Sequence, residues 1–98
     1  MIIRIVKMTF HLGKVEEFEN IFNSSKHLIR HFEGCSHLEL LNDINRPDIF
    51  FTYSYWESQE HLDAYRHSAL FESVWAKTKV LFAAAPEAWS VIRKVAVN

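Results

Sequence analysis

The side chains best suited to holding a reacting molecule are concentrated between Tyr55 and Trp75. This stretch of 21 residues, YWESQEHLDAYRHSALFESVW, contains two Trp, two Tyr, two His and one Phe. Tyrosine hydroxyls, indole N–H groups and imidazole nitrogens can hydrogen-bond to a small ligand while their rings form an apolar wall. The same residues are also what an aromatic core would contain, with polar tips that find partners inside the protein. Both interpretations stay open, and the choice depends on the directions that helices and strands give these side chains.

Helical geometry gives Tyr65 and the two histidines of this stretch different directions. Ser58 is a natural N-cap for a helix that runs to about Ser68. On that helix Tyr65 belongs to the apolar face and His61 lies at the edge of that face. His67, two residues after Tyr65, points about 200° away from it. We therefore predict that Tyr65 faces inward and that His67 faces solvent.

Hydrophobic periodicity predicts the remaining elements. They are a strand over 2–10, a helix over 14–32, a strand over 36–43, a strand over 48–56, the helix after Ser58, a helical segment over 69–83 ended by Pro86, and a strand over 89–97. This order is typical of a ferredoxin-like βαββαβ domain of the α+β class, with a four-stranded antiparallel sheet. Strand 48–56 places Tyr53 on one face and Thr52 on the other, and the sequence does not decide which face meets the helices.

In this topology helices cover only one face of the sheet. Strands 2–10 and 48–56 are apolar on both faces, so Ile, Phe and Tyr side chains on the uncovered face need another protein surface. A symmetric homodimer, packed sheet against sheet, is the economical solution. We therefore expect the chain to pair with itself.

Composition limits the compartment and the partners. The 98 residues predict one domain over 1–98, and a net charge of −1 without a basic run argues against nucleic acid as a partner. The single Cys35 is compatible with a reducing cytosol. No apolar run approaches the ~18 residues of a membrane span, and the N-terminal MIIRIVKMTF fits a strand better than a signal peptide. We expect a cytoplasmic protein without a membrane partner.

The sequence carries no convincing metal or cofactor site. His27 and His31 have the i, i+4 spacing of helical metal ligands, but no Glu, Asp or Cys at a suitable position completes a site. There is no glycine-rich phosphate loop and no nucleotide fingerprint. We therefore expect neither a metal nor a cofactor.

Three short motifs are spread along nearly the whole chain. They are Gly13-Lys14-x-x-x-Phe18 at the start of the first helix, the turn Phe32-Glu33-Gly34-Cys35, and YWESQEHLDAYRHSALF at the exit of the third strand. Together they resemble the antibiotic biosynthesis monooxygenase family of small dimeric α+β barrels. That family includes cofactor-free oxygenases of phenols and quinols, heme-degrading enzymes and members without known activity.

The heme-degrading branch of that family is similar in layout but not in its functional residues. Its Asn on the first strand, its Trp after the third strand and its heme-ligating His fall by position on Val6, Tyr65 and Trp75. None of the three matches. The resemblance therefore leaves heme degradation as the least favoured function.

The resemblance implies a cofactor-independent monooxygenase that acts on a small aromatic or quinol substrate. A phenol would lose a proton, its anion would pass an electron to O₂, and the radicals would combine in a dry pocket. We predict that Tyr65 and Trp75, with Tyr53 or its neighbours on the sheet, supply the donors that hold the phenolate, and that His61 is the only histidine near enough to assist. The predicted pocket wall comprises Val6, Trp56, Phe71 and Thr78.

The alternative is a non-enzymatic dimeric domain that binds a small molecule in the same cavity. It is favoured by the lack of an inward histidine or carboxylate at a position matching the family, because proton abstraction near neutral pH is easiest with a group that titrates there.

Overall fold

The structure is a computed structural model that describes all 98 residues. Its elements are β1 (Ile2–Thr9), a 3-10 turn (Leu12–Lys14), α1 (Val15–Arg30), β2 (Cys35–Asn42), β3 (Ile49–Trp56), α2 (Gln59–Arg66), α3 (Ala69–Lys79) and β4 (Glu87–Val91). The strands form one antiparallel sheet in the order β2-β3-β1-β4. The predicted ferredoxin-like α+β arrangement is therefore confirmed, with the two most apolar strands, β1 and β3, at the centre of the sheet.

In the C-terminal part of the chain, α3 and β4 end at other residues than predicted because the backbone pairs with β1. Helix α3 ends at Lys79 rather than near residue 83, because Ala83 N–H donates to the carbonyl of Thr9 and draws the chain back to the end of β1. Strand β4 covers Glu87–Val91 rather than 89–97. Val91 pairs with Ile3, so β1 offers almost no further residues for a longer strand.

The register of the sheet decides which side chains meet the helices. Thr52 and Ser54 of β3 lie opposite Val6 and Arg4 of β1, and all four border the space beneath α1, α2 and α3. We call this side of the sheet the inner face. Because side chains alternate along a strand, Tyr53 and its odd-numbered neighbours in β3 point to the opposite side, the outer face.

Large side chains close the two ends of the inner face. At one end a core cluster contains Met8, Phe10, Phe18, Phe50 and Leu81. At the other end Cys35, Trp56 and Leu62 form a second cluster, against which Phe32 and Tyr65 pack. Between the two clusters the central strands carry Val6, Thr52 and Ser54, which are too short to fill the space below the helices. A cavity therefore separates the two cores.

Helix α2 is held in place by a cap and by a close contact with a glycine. The Ser58 hydroxyl accepts a hydrogen bond from the backbone N–H of His61, as the sequence predicts for an N-cap. Gly34 has φ +90°, and a Cβ atom on it would lie 2.4 Å from the His61 side chain. The turn before β2 and the start of α2 therefore approach each other more closely than any other residue at position 34 would allow.

None of the helices is long and apolar enough to cross a membrane.

We predict that Gly34→Ala lowers the free energy of unfolding by about 2 kcal/mol or more, since alanine would meet both an unfavourable φ and the His61 ring. Gly13→Ala is the matched control, because no atom lies within 4 Å of a Cβ built there. Its stability should stay the same or rise slightly. Urea unfolding measures both values, and equal losses in the two variants would contradict the role assigned to the Gly34 contact.

Candidate active site

The cavity between the sheet and the helices has a volume of about 300 Å³, at the lower end of the range for small-molecule sites. Hydrophobic side chains make up 13 of its 19 lining residues. The sheet contributes its inner face, and each of the three helices contributes side chains from above. The arrangement can shelter one small and mostly apolar molecule.

Six of the eight residues predicted for the site line this cavity. They are Tyr65, Trp75, Val6, Trp56, Phe71 and Thr78. The other two, Tyr53 and His61, do not reach it. Proximity in the cavity does not by itself assign a catalytic role to any of the six, and their roles stay predictions.

Tyr53 lies on the outer face, so its expected position in the pocket is corrected. Its hydroxyl oxygen is 3.3 Å from that of Tyr55, which accepts a hydrogen bond of 3.0 Å from Arg93. Strand alternation is the reason, because Thr52 and Ser54 occupy the inner positions on either side of Tyr53. The sheet therefore supplies hydroxyl groups to the cavity, but they belong to Thr52 and Ser54.

His61 also lies outside the cavity. Its Nδ1 is 2.7 Å from the Ser58 hydroxyl oxygen and its ring packs against Gly34, so its position follows from the start of α2. His67 is exposed, as predicted. With both histidines outside, no His, Asp or Glu side chain lines the cavity. The site therefore lacks a side chain that ordinarily exchanges protons near neutral pH.

Tyr65 is anchored by three aromatic rings. It stacks on Trp56 at a centroid distance of 4.8 Å and meets Phe32 and Phe71 edge to face at 5.4 and 5.3 Å. No hydrogen bond within the chain engages its hydroxyl, and no fully buried polar side-chain atom is left without a partner. The hydroxyl is therefore accessible. Because the pocket wall includes this residue, we infer that the hydroxyl opens into the cavity.

Burial keeps the Tyr65 hydroxyl protonated, so that it can donate a hydrogen bond but cannot act as a base. Loss of solvation, with a smaller contribution from Cys35, raises the pKa of Tyr65 well above its ordinary value. The group stays neutral over the physiological range and can donate a hydrogen bond to an oxygen of a ligand.

Trp75 is the second donor without an internal partner. Its ring stacks on Phe71 at 5.7 Å and meets Phe82 at 5.4 Å, while its indole N–H forms no hydrogen bond within the chain. By contrast, the N–H of Trp56 donates to Ser54 at 3.0 Å and the Thr78 hydroxyl donates to the carbonyl of Val74 at 2.7 Å. Tyr65 and Trp75 thus differ from Trp56 and Thr78 because their hydrogen-bond donors have no partner within the chain.

Sequence reasoning missed two arginines at the cavity, Arg4 from β1 and Arg66 from α2. Arg4 lies two positions before Val6 in the strand, so alternation puts both side chains on the inner face. Arg66 directly follows Tyr65 at the end of α2. The signal was present in the spacing, but it becomes visible only once the inner face is known.

The histidine pair of α1 lies outside the cavity. His27 and His31 are both exposed, and nowhere in the chain do three His, Cys, Asp or Glu residues gather in a way that could hold a metal ion.

Solved structures of other proteins share this fold over nearly the full chain. A conserved protein from Methanosarcina mazei Go1 superposes with a TM-score of 0.89 at 23% identity, covering 96% of this chain and 94% of the other. A candidate antibiotic biosynthesis monooxygenase from Nitrosomonas europaea gives 0.89 at 15% identity, with coverages of 97% and 100%. One from Bordetella bronchiseptica gives 0.85 at 21%, with coverages of 96% and 97%.

These identities are low enough that the superpositions establish the fold alone. None of the curated proteins matches the sequence significantly. The sequence profile described as antibiotic biosynthesis monooxygenase, however, matches residues 1–77, from β1 into α3, and thus includes all the predicted site residues but Thr78. The chain therefore belongs to the antibiotic biosynthesis monooxygenase family.

Proposed function

We propose that the protein is a cofactor-independent monooxygenase whose substrate is a small aromatic or quinol compound bound in the cavity. The observation that carries this proposal is the pair of hydrogen-bond donors, Tyr65 and Trp75, that have no internal partner and border a mostly apolar space. Both donors are therefore available to bind an oxygen atom of a ligand. A phenolic oxygen is an acceptor suited to such donors.

In the proposed reaction, Tyr65 and Trp75 donate to the substrate oxygen and hold it as negative charge develops. The substrate anion passes one electron to O₂, and the two radicals form a C–O bond at a ring carbon that bears hydrogen, ortho or para to the oxygen. The resulting peroxide anion takes up a proton, and the hydroperoxide loses water together with that ring hydrogen to leave a carbonyl. One oxygen atom therefore enters the quinone product and the other leaves as water. The apolar wall excludes bulk water from the radical pair.

The lack of a general base in the cavity restricts how the substrate becomes an anion. Tyr65 stays protonated and no histidine or carboxylate lines the space. The substrate must therefore enter as its anion or release its proton to solvent at the cavity mouth. The lack of a general base also favours the second candidate function, a domain that binds a metabolite without converting it. Oxygen uptake with quinols distinguishes the two.

We expect Tyr65→Phe to reduce the rate of oxygen uptake on the order of 10²-fold, because it removes a preorganised donor but keeps the ring. Its free energy of unfolding should change by no more than ~1 kcal/mol. Trp75→Phe tests the indole N–H in the same way, and we expect its smaller ring also to reduce stability by enlarging the cavity. Rates are measured with small quinols after subtraction of uncatalysed oxidation.

His67→Ala is the control for these two variants, since His67 is exposed on the far side of α2. Full activity in Tyr65→Phe and Trp75→Phe combined with loss in His67→Ala would contradict the assignment of the cavity as the reaction site.

We also propose that the outer face of the sheet is the interface of a homodimer. This face carries apolar and aromatic side chains that no helix covers, and Leu41, Trp89 and Val91 are each 40% or more exposed. Charges of both signs occur on it, as in the pair Lys7 and Glu87 at 3.8 Å. Two copies can therefore face each other without repulsion between like charges, and they would need to bury roughly 1,600 Å² in total.

Light scattering should give twice the 11.6 kDa mass of the chain at micromolar concentration. Trp89→Glu should shift this mass toward the monomer, because it would bury a charge between the sheets. Leu28→Glu is the matched control, since Leu28 is 62% exposed on α1, in the helical layer. A wild-type chain that stays monomeric would contradict the dimer without bearing on the cavity.

A further inference from the structure

Two arginines border the cavity from different walls without an acidic partner. Arg4 comes from β1 and Arg66 from α2. The ion pairs of the chain within 4.0 Å are Lys7 with Glu87, His37 with Glu39, and Arg46 with Asp48. Neither cavity arginine takes part in any of them, so two positive charges border a space that contains no negative side chain.

The surroundings of Arg4 show that its positive charge has no ion-pair partner at close range. Its guanidinium donates one hydrogen bond, to the Ser90 hydroxyl at 2.9 Å, although an arginine carries five N–H donors. Burial and then repulsion by Arg66 lower the pKa of Arg4, and Asp63 acts in the opposite direction. Asp63 forms no ion pair within 4.0 Å with either arginine, and its carboxylate accepts a hydrogen bond from Gln59 at 2.9 Å. A bound anion would therefore supply the direct charge-assisted hydrogen bonds that no carboxylate of the chain makes with these arginines.

The rest of the lining indicates what else the anion must carry. Beyond Arg4 the inner face continues with Val6, and α3 adds Phe71 and Trp75, so this part of the cavity suits a planar apolar ring. A free inorganic anion would leave that part empty. A ligand that satisfies both regions is an aromatic ring with a negatively charged substituent.

We propose that the natural ligand of the cavity is an aromatic carboxylate, whose carboxylate group is bound by Arg4 and Arg66 and whose ring lies against Val6, Phe71 and Trp75. Guanidinium groups bind carboxylates through charge-assisted and often paired hydrogen bonds, which are stronger than those to neutral groups. The inference rests on the proposed function, because it narrows the aromatic substrate class of the same cavity.

The test compares two probes of nearly equal shape, 6-hydroxy-2-naphthoate and its neutral analogue 6-hydroxy-2-naphthamide. Isothermal titration calorimetry at pH 7 and low salt should give a dissociation constant for the carboxylate that is at least about tenfold lower than that for the amide. Arg4→Met and Arg66→Met, which keep most of the apolar stem and remove the charge, should each reduce that preference to about twofold or less. Affinity for the amide should stay within about twofold of the wild-type value.

Lys79→Met is the matched control, because it removes one positive charge at an exposed site of α3 that does not line the cavity. It should leave the preference for the carboxylate intact. Circular dichroism checks that each variant folds, and should Arg4→Met fail in its buried strand, Arg66→Met on the exposed surface of α2 decides the test alone.

The experiments distinguish a failure of the carboxylate inference from a failure of the proposed monooxygenase activity. Equal binding of the two probes to the wild-type protein, or a preference that survives both Met variants, would overturn the carboxylate inference and leave an aromatic ligand in place. Oxygen uptake with uncharged quinols together with equal probe binding would mean that the proposed activity stands and the inference falls. If neither probe binds at millimolar concentration, both the aromatic ligand and its carboxylate are contradicted.

Discussion

The cavity exists because the inner face of the sheet carries large side chains at its two ends and short ones on β3 between them. On β3 the inner positions run from Phe50 through Thr52 and Ser54 to Trp56, so bulk is concentrated at the ends. The helices rest on these ends and cannot collapse onto the middle, since both end clusters are closely packed. Replacing the central residues by larger apolar ones would join the two clusters into one core and remove the site.

This packing also explains how a mostly apolar cavity keeps hydrogen-bond donors free. Trp56 is almost completely buried, and its stack with Tyr65 ties α2 to the sheet, which fixes the Tyr65 ring while leaving its hydroxyl without an internal partner. Trp75 is held in the same manner by Phe71 on the neighbouring turn of α3. Rings that are fixed by other rings give donors of defined position, which is what stabilisation of a developing charge requires.

The two faces of the central strands carry different chemistry, and strand geometry keeps them apart. A substitution at Thr52 acts on the cavity, whereas one at Tyr53 acts on the outer network with Tyr55 and Arg93. The cavity and the proposed dimer interface can therefore be altered independently, even though their residues alternate along a single strand. On β1, Arg4 likewise faces the cavity, whereas its neighbour Ile5 lies beside Tyr53 on the outer face.

Local patterns in the sequence determined most of the fold. Apolar periodicity predicted the order of strands and helices, Ser58 marked the start of α2, and helical geometry separated Tyr65 from His67. These features depend on residues within a few positions of one another, so the chain itself specifies them. Motif resemblance added the family, and the aromatic stretch 55–75 together with Val6 and Thr78 supplied six of the residues that border the cavity.

Only the tertiary structure decided which face of β3 meets the helices, and that decision moved Tyr53 out of the site and brought Arg4, Thr52 and Ser54 into it. A two-faced apolar strand has no amphipathic signal, so its orientation depends on register with β1 and on packing below distant helices. The end of β4 at Val91 was undetermined for the same reason, since a strand extends only as far as its partner does. Contacts between residues far apart in sequence settle such questions, and local patterns contain no record of them.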